Sequence, residues 1–203
     1  CMDADGIKSL LQWSKECGIN LIMDESFLDF ADTEDLSLLS EQVLRENRNL
    51  YVVKSISKSY GVPGLRLGIL ASGNTDMIEH LKKDVSIWNI NSMAEFFMQI
   101  LDKYKSDYTD SLRKIKEERS RFLNELCAVK NLKVYPSQAN YFMCEILDGI
   151  SSEELAGRLL KENILIKDLT GKIHNGKQYI RIAIRGEEEN RILVEKLKVC
   201  MKQ

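Results

Sequence analysis

Ser55-Ile56-Ser57-Lys58-Ser59-Tyr60-Gly61-Val62-Pro63-Gly64-Leu65-Arg66-Leu67-Gly68 is the stretch from which the fold can be read. It follows the apolar run Leu50-Tyr51-Val52-Val53, so Lys58 falls just past the end of a predicted β-strand. A loop punctuated by Gly61, Pro63 and Gly64 then carries Arg66 into a second apolar run, Leu65 to Ala71. In open α/β sheets, ligands bind outside the carboxyl ends of the strands, which makes a lysine there a candidate nucleophile or charge anchor. Most lysines are solvated loop residues, and the choice between the two readings depends on the surrounding segments.

Working outward, Asp3 or Asp5 caps a predicted helix over roughly Gly6 to Glu16, closed by Cys17-Gly18. Asn20-Leu21-Ile22-Met23-Asp24-Glu25 reads as a buried parallel strand with Asp24 at its carboxyl end. Two carboxylates there are costly unless something pairs with them. Residues 31–49 are acidic and then helical, a predicted crossover between parallel strands. Past the lysine stretch come a helix from Thr75 to about Lys83 and an apolar helix from Met93 to about Tyr104. The Met93, Phe96, Phe97 and Met98 side chains of that second helix read as core. A charged, periodic helix runs from Asp107 to Val129. Short strands over 132–144 broken at Pro136, a helix capped by Ser152, strands at 164–166 and 179–184, and a helix from Glu187 to Met201 form a separate α+β unit.

Composition bounds the class. The chain has 203 residues, 44% of them hydrophobic, enough for a large and a small domain. Twenty-nine basic and 31 acidic residues are interspersed, so no basic stripe marks a nucleic-acid partner. Cys1, Cys17, Cys127, Cys144 and Cys200 show no C-x-x-C pairing, which predicts reduced thiols and a cytoplasmic setting. His80 and His174 are the whole imidazole supply, so a His-rich metal centre is not expected. No apolar run reaches spanning length, and no membrane partner is predicted. The chain opens at Cys1, already in the run-in to a helix, and reads as a portion of a longer polypeptide.

The pattern S-x-S-K-x-x-G-x-x-G-x-R-x-G resembles the Schiff-base lysine segment of class I/II pyridoxal-phosphate aminotransferases of fold type I. The similarity is greatest to the histidinol-phosphate aminotransferase and threonine-phosphate decarboxylase branch. It implies an α/β chain comprising the C-terminal part of the three-layer, mostly parallel large domain (1–105) and a smaller α+β C-terminal domain (106–203). It implies pyridoxal 5'-phosphate as cofactor, held as an imine by Lys58, whose freed amine then moves a proton at the substrate α-carbon.

The remaining roles follow from the same resemblance. Asp24, in Asp24-Glu25-Ser26-Phe27, contacts the cofactor's pyridine nitrogen and keeps it protonated. Phe27 stands where tyrosine is commoner, as in threonine-phosphate decarboxylase-like proteins. Ser55, Ser57 and Arg66 bind the cofactor phosphate. Arg181, within the apolar strand 179–184, clamps the substrate carboxylate, an arginine there needing an anionic partner. Arg185 shares its parity if the strand continues, and Asn140 matches an asparagine near the substrate. Lys167 stands where relatives with phosphorylated substrates carry arginine.

The family's glycine-rich phosphate loop, ring-stacking aromatic and cross-dimer tyrosine all precede the Asp24 segment. The implied function is amino-group transfer between an amino acid or amino-alcohol phosphate and a 2-oxo acid, by a homodimer. Two alternatives stay open: decarboxylation of the threonine-phosphate type, and a non-catalytic piece that needs the missing half.

Overall fold

A computed structural model describes residues 2–33 and 36–201, so Cys1 lies outside the described residues. The chain folds as two compact units, residues 1–110 and 111–203.

In the first unit, helix α1 (Ala4–Glu16) starts where the Asp3 carboxylate accepts the Gly6 N–H at 2.8 Å. It ends as Gly18 turns left-handed at φ 64°. Strand β1 (Leu21–Asp24) follows, then helix α2 (Glu41–Glu46), capped by Ser40, and strand β2 (Leu50–Ser55). The helical crossover sets β2 parallel to β1, with Leu21 opposite Leu50 and Asp24 opposite Val53. After β2 the chain makes the single turn α3 (Ile56–Ser59) and a 3-10 turn (Pro63–Leu65), then returns as β3 (Gly68–Ser72). That connection holds one turn of helix but no full crossover helix, so β3 runs antiparallel to β2. The sheet is therefore mixed, in the order β1-β2-β3. Gly73 admits α2 against the end of β3, since a Cβ there would meet the Leu44 carbonyl oxygen at 1.9 Å.

Register divides the sheet into two faces. Leu21, Met23, Leu50 and Val52 point toward Ile7 and Leu11 of α1 and the 36–44 segment, forming the core of this unit. The other face carries Ile22 and Leu70, which are 68% and 44% exposed. The expectation that β1 is buried throughout is thus corrected, because only alternate residues meet the covering helix. Helix α4 (Thr75–Lys82) and helix α5 (Ser92–Ile100) follow. The apolar side chains of α5 do not form the expected core: Ala94 is its buried residue, while Met93, Phe96 and Met98 are exposed. Helix α6 (Lys105–Cys127) begins in the first unit and ends in the second.

The second unit is a four-stranded antiparallel sheet in the order β4-β5-β7-β6. Its elements are β4 (Leu132–Val134), β5 (Tyr141–Ile146), helix α7 (Ser152–Lys161), β6 (Lys167–Asp168), β7 (Gln178–Ala183) and helix α8 (Glu187–Cys200). One sheet face, with Phe142, Cys144, Ile146, Ile180 and Ile182, packs against Phe122, Leu126, Leu155, Leu159, Leu193, Val194 and Leu197. Each fully buried side chain of this size stabilises by about 1.5–3 kcal/mol. The strand expected at 164–166 does not form. The end of α7 claims it: Asn163 turns left-handed at φ 60° and the Ile164 N–H bonds back to the Leu159 carbonyl. Pairing starts only at Lys167.

Among the described residues, no helix is long and apolar enough to cross a membrane, and no cluster of potential ligands could hold a metal ion. Cys17, Cys127, Cys144 and Cys200 are free thiols.

Candidate active site

Lys58 occupies α3, a turn whose other side chains are packed. Ser57 and Ser59 are buried on either side of it, while Lys58 itself is exposed. Its Nζ lies 4.6 Å from the centre of the Phe27 ring. Asp24 ends β1, and its carboxylate accepts the Ser26 N–H at 2.8 Å. The Ser26 hydroxyl and N–H and the charge of Lys58 together hold the Asp24 carboxyl below the ordinary aspartate range. An exposed amine, an ionised carboxylate and an aromatic face are thus neighbours at the carboxyl end of a parallel strand pair.

The second carboxylate is accounted for separately. Glu25 is buried, and it accepts the Ser37 hydroxyl at 2.8 Å and the Leu38 N–H at 2.6 Å. It anchors the loop beyond β1 and leaves Asp24 as the carboxylate that faces outward.

Ser55 and Arg66 line an open depression of about 480 Å³, walled also by Ser26 and by Leu67 to Leu70. Arg66 holds a left-handed backbone, φ 56°, at the end of the 3-10 turn, and its Nη1 donates to the Pro63 carbonyl at 3.3 Å. A non-glycine residue in that conformation costs on the order of 1 kcal/mol, and such strain gathers at ligand sites. Ser57, expected at the phosphate, is 2% exposed. Its Oγ accepts the Leu67 N–H at 3.0 Å and donates to the Leu67 carbonyl at 3.3 Å. This hydroxyl closes the lysine loop, and it is not among the walls of the depression.

Sequence reading missed Ser26. It is buried, and its hydroxyl accepts the Ser55 N–H at 3.0 Å, joining the end of β1 to the end of β2. The available signal was a serine two residues after a strand-ending aspartate, the spacing of an Asx turn.

In the second unit, Arg181 alternates outward between buried Ile180 and Ile182. Its guanidinium is exposed, so the apolar strand does not by itself oblige it to take an anionic partner, and it lies 5.1 Å from the centre of the Tyr141 ring. Lys167 stands opposite it in register. Like charges directly opposite disfavour the strand pair, which suits a site that meets an anion. Arg185 falls beyond β7, so the parity argument fails for it, and its Nε donates to Glu189 at 2.7 Å. Asn140 precedes β5, where its carbonyl accepts the Ile184 N–H at 2.9 Å. Buried Arg119, also missed, shapes the turn before Asn140 by donating to the Gln138 carbonyl at 2.9 Å.

The profile of the family described as "Aminotransferase class I and II" matches residues 1–197. The chain is 36% identical over 176 residues to CMP-5'-(3-aminopropyl)phosphonate synthase of Streptomyces rubellomurinus, covering 86% of this chain and 28% of that protein. It is 34% identical over 183 residues to an L-serine phosphate decarboxylase of Campylobacter jejuni, covering 88% and 47%. Proteins named threonine-phosphate decarboxylase and histidinol-phosphate aminotransferase also match. The solved histidinol-phosphate aminotransferase of Clostridium acetobutylicum superposes with a TM-score of 0.87 at 28% identity, over 98% of this chain and 59% of that one. The chain therefore spans about half the length of most of these proteins, and less of the Streptomyces synthase. The chain belongs to the aminotransferase class I and II family, whose members share this α/β fold and use pyridoxal phosphate.

Proposed function

We propose that the protein bearing this chain uses pyridoxal phosphate to act at the α-carbon of a small amino acid that carries a phosphate. Decarboxylation is the first reading and amino-group transfer to a 2-oxo acid the second. One observation carries the cofactor reading: the exposed amine of Lys58 projects from an otherwise packed turn beside the ionised Asp24.

The residues fit the group. Lys58 supplies the amine that binds its aldehyde, Asp24 a carboxylate for its ring nitrogen, and Ser55 with Arg66 a hydroxyl and a guanidinium for its phosphate. When bound, the cofactor withdraws electrons from the substrate's α-carbon. Asp24 stays ionised through its Ser26 contacts and favours the protonated ring nitrogen. The amine of Lys58 would hold the proton delivered at the α-carbon. Phe27 offers an apolar wall and no hydroxyl. Arg181 and Lys167 together present two cations for a dianionic substrate.

Two observations favour decarboxylation: phenylalanine at position 27, and 34% identity to the Campylobacter L-serine phosphate decarboxylase against 29% to the Clostridium aminotransferase. The free thiols suit a reducing compartment, so we place the protein in the cytoplasm, as a homodimer like its relatives. The test supplies the intact protein and pyridoxal phosphate with O-phospho-L-serine or O-phospho-L-threonine. Carbon dioxide release without consumption of a 2-oxo acid supports the first reading. Amine transfer to 2-oxoglutarate without carbon dioxide selects the second. Either activity, if it survived in Lys58→Ala, would remove Lys58 from the chemistry.

A further inference from the structure

Asp29 lies in the 3-10 turn Leu28–Phe30 that follows Phe27, and its two oxygens take different partners. Lys54 Nζ donates to Oδ1 at 2.6 Å, and the Tyr108 hydroxyl donates to Oδ2 at 2.8 Å. The Lys54 and Asp29 side chains are 16% and 18% exposed. The Tyr108 ring stacks on Tyr60, centroids 4.0 Å apart and planes within 9°, and Phe97 meets Tyr60 edge-on at 6.1 Å.

These contacts bracket the reactive turn. Lys54 lies four residues before Lys58 near the end of β2, and Tyr60 two residues after it at the end of α3. A single carboxylate therefore holds both approaches to Lys58, one directly and one through the Tyr108–Tyr60 stack. Inside the bracket Ser57 is tied to the Leu67 backbone, and Lys58 is the side chain left exposed. A half-buried ion pair contributes little net stability beyond what an apolar contact would, but it fixes one geometry. A reacting amine gains most from fixed geometry.

We propose that Asp29 is a positioning residue for Lys58, acting through Lys54 on one side and through Tyr108 and Tyr60 on the other. The inference rests on the reading of Lys58 as the cofactor-binding amine.

The test uses the intact protein and its Asp29→Asn and Tyr108→Phe variants, the second of which keeps the ring stack and loses only the hydroxyl. Pyridoxal phosphate is trapped with borohydride over time and the label on Lys58 is quantified by peptide mass. Amide hydrogen exchange is followed separately over 50–53 and 56–61. Asp29→Asn is expected to slow labelling of Lys58 about tenfold and Tyr108→Phe about threefold, with exchange over 56–61 about tenfold faster in Asp29→Asn and unchanged over 50–53. Wild-type rates of labelling and exchange in both variants overturn the inference. Equal acceleration over 50–53 and 56–61 also overturns it, because Asp29 would then support the unit as a whole. Labelling of the wild type at other lysines but not at Lys58 sinks the cofactor reading instead, and the exchange data still decide whether Asp29 holds the turn.

Discussion

The two units solve the same problem of covering a sheet to different extents. In residues 111–203, one face of a four-stranded sheet is closed by α6, α7 and α8 around fully buried Phe122, Leu126, Phe142, Leu155, Ile180 and Leu197. In residues 1–110, α1 and the 36–44 segment close one face of a three-stranded sheet, and Ile22 and Leu70 of the other face stand exposed. The exposed face is also the face of Asp24, whose register partner is Val53. The unit with the deep core carries cations on its outer face, and the unit with the shallow core carries the lysine. The deeper core and the candidate lysine turn thus lie in different parts of the chain.

Core deletion gives the largest contrast. Phe142→Ala is expected to destabilise the second unit by about 3–5 kcal/mol. Denaturant unfolding with segment-resolved hydrogen exchange should show that loss in β4 to α8 and leave β1 to β3 unchanged. A uniform loss over the chain would mean that the two units unfold as one.

An intermediate effect is expected from acid. Burial raises the Asp29 carboxyl, but the hydrogen bonds from Lys54 and Tyr108 and the charge of Lys54 outweigh it and hold Asp29 below the ordinary aspartate range. A group depressed in this way stabilises the fold fully above its unfolded value, about 4, and that stability is lost as pH falls through the lower folded value. Protection from hydrogen exchange over 56–61, corrected for the intrinsic rate at each pH, should therefore fall below about pH 4 in the wild type. In Asp29→Asn this acid-dependent part should be absent, with 56–61 about tenfold less protected already at neutral pH. Identical acid profiles in the two proteins would dismiss the ion pair as a source of stability.

Arg191→Ala marks the lower end. Its guanidinium bonds Glu188 and Glu195 across an exposed face of α8, and such solvated pairs add little to stability, less still in salt, so the melting temperature should barely move. A melting temperature several degrees lower would show that the second unit depends on its surface charge as well as its core.

The same contrast explains what could be read from the sequence. Runs with clear period, such as Leu50–Val53 and the amphipathic helices, identify themselves because burial of alternate or stacked residues fixes their type. The lysine stretch reads differently: its glycine, proline, hydroxyls and cations stand at spacings that resemble a family segment, and the strand end expected before Lys58 is present, followed by a single turn. The core assignment for Met93 and Phe96 failed because an apolar residue does not reveal whether anything packs on it. Asp29, Lys54, Tyr108 and Ser26 were illegible because their meaning lies in contacts across 25 to 79 positions. The Ser57 hydroxyl has only its backbone partner ten residues away to show that it serves the loop.

Arg66 sets a limit on anyone who would engineer this chain. Glycine or asparagine would relax its left-handed backbone and steady the loop, but neither brings a guanidinium. Any arginine elsewhere in the turn would be comfortable but aimed differently. Under the proposed phosphate role, position 66 can be tuned for a quieter fold or for a tighter grip on an anion. A library selected for heat resistance alone should drift away from arginine there, and one selected for cofactor retention should keep it.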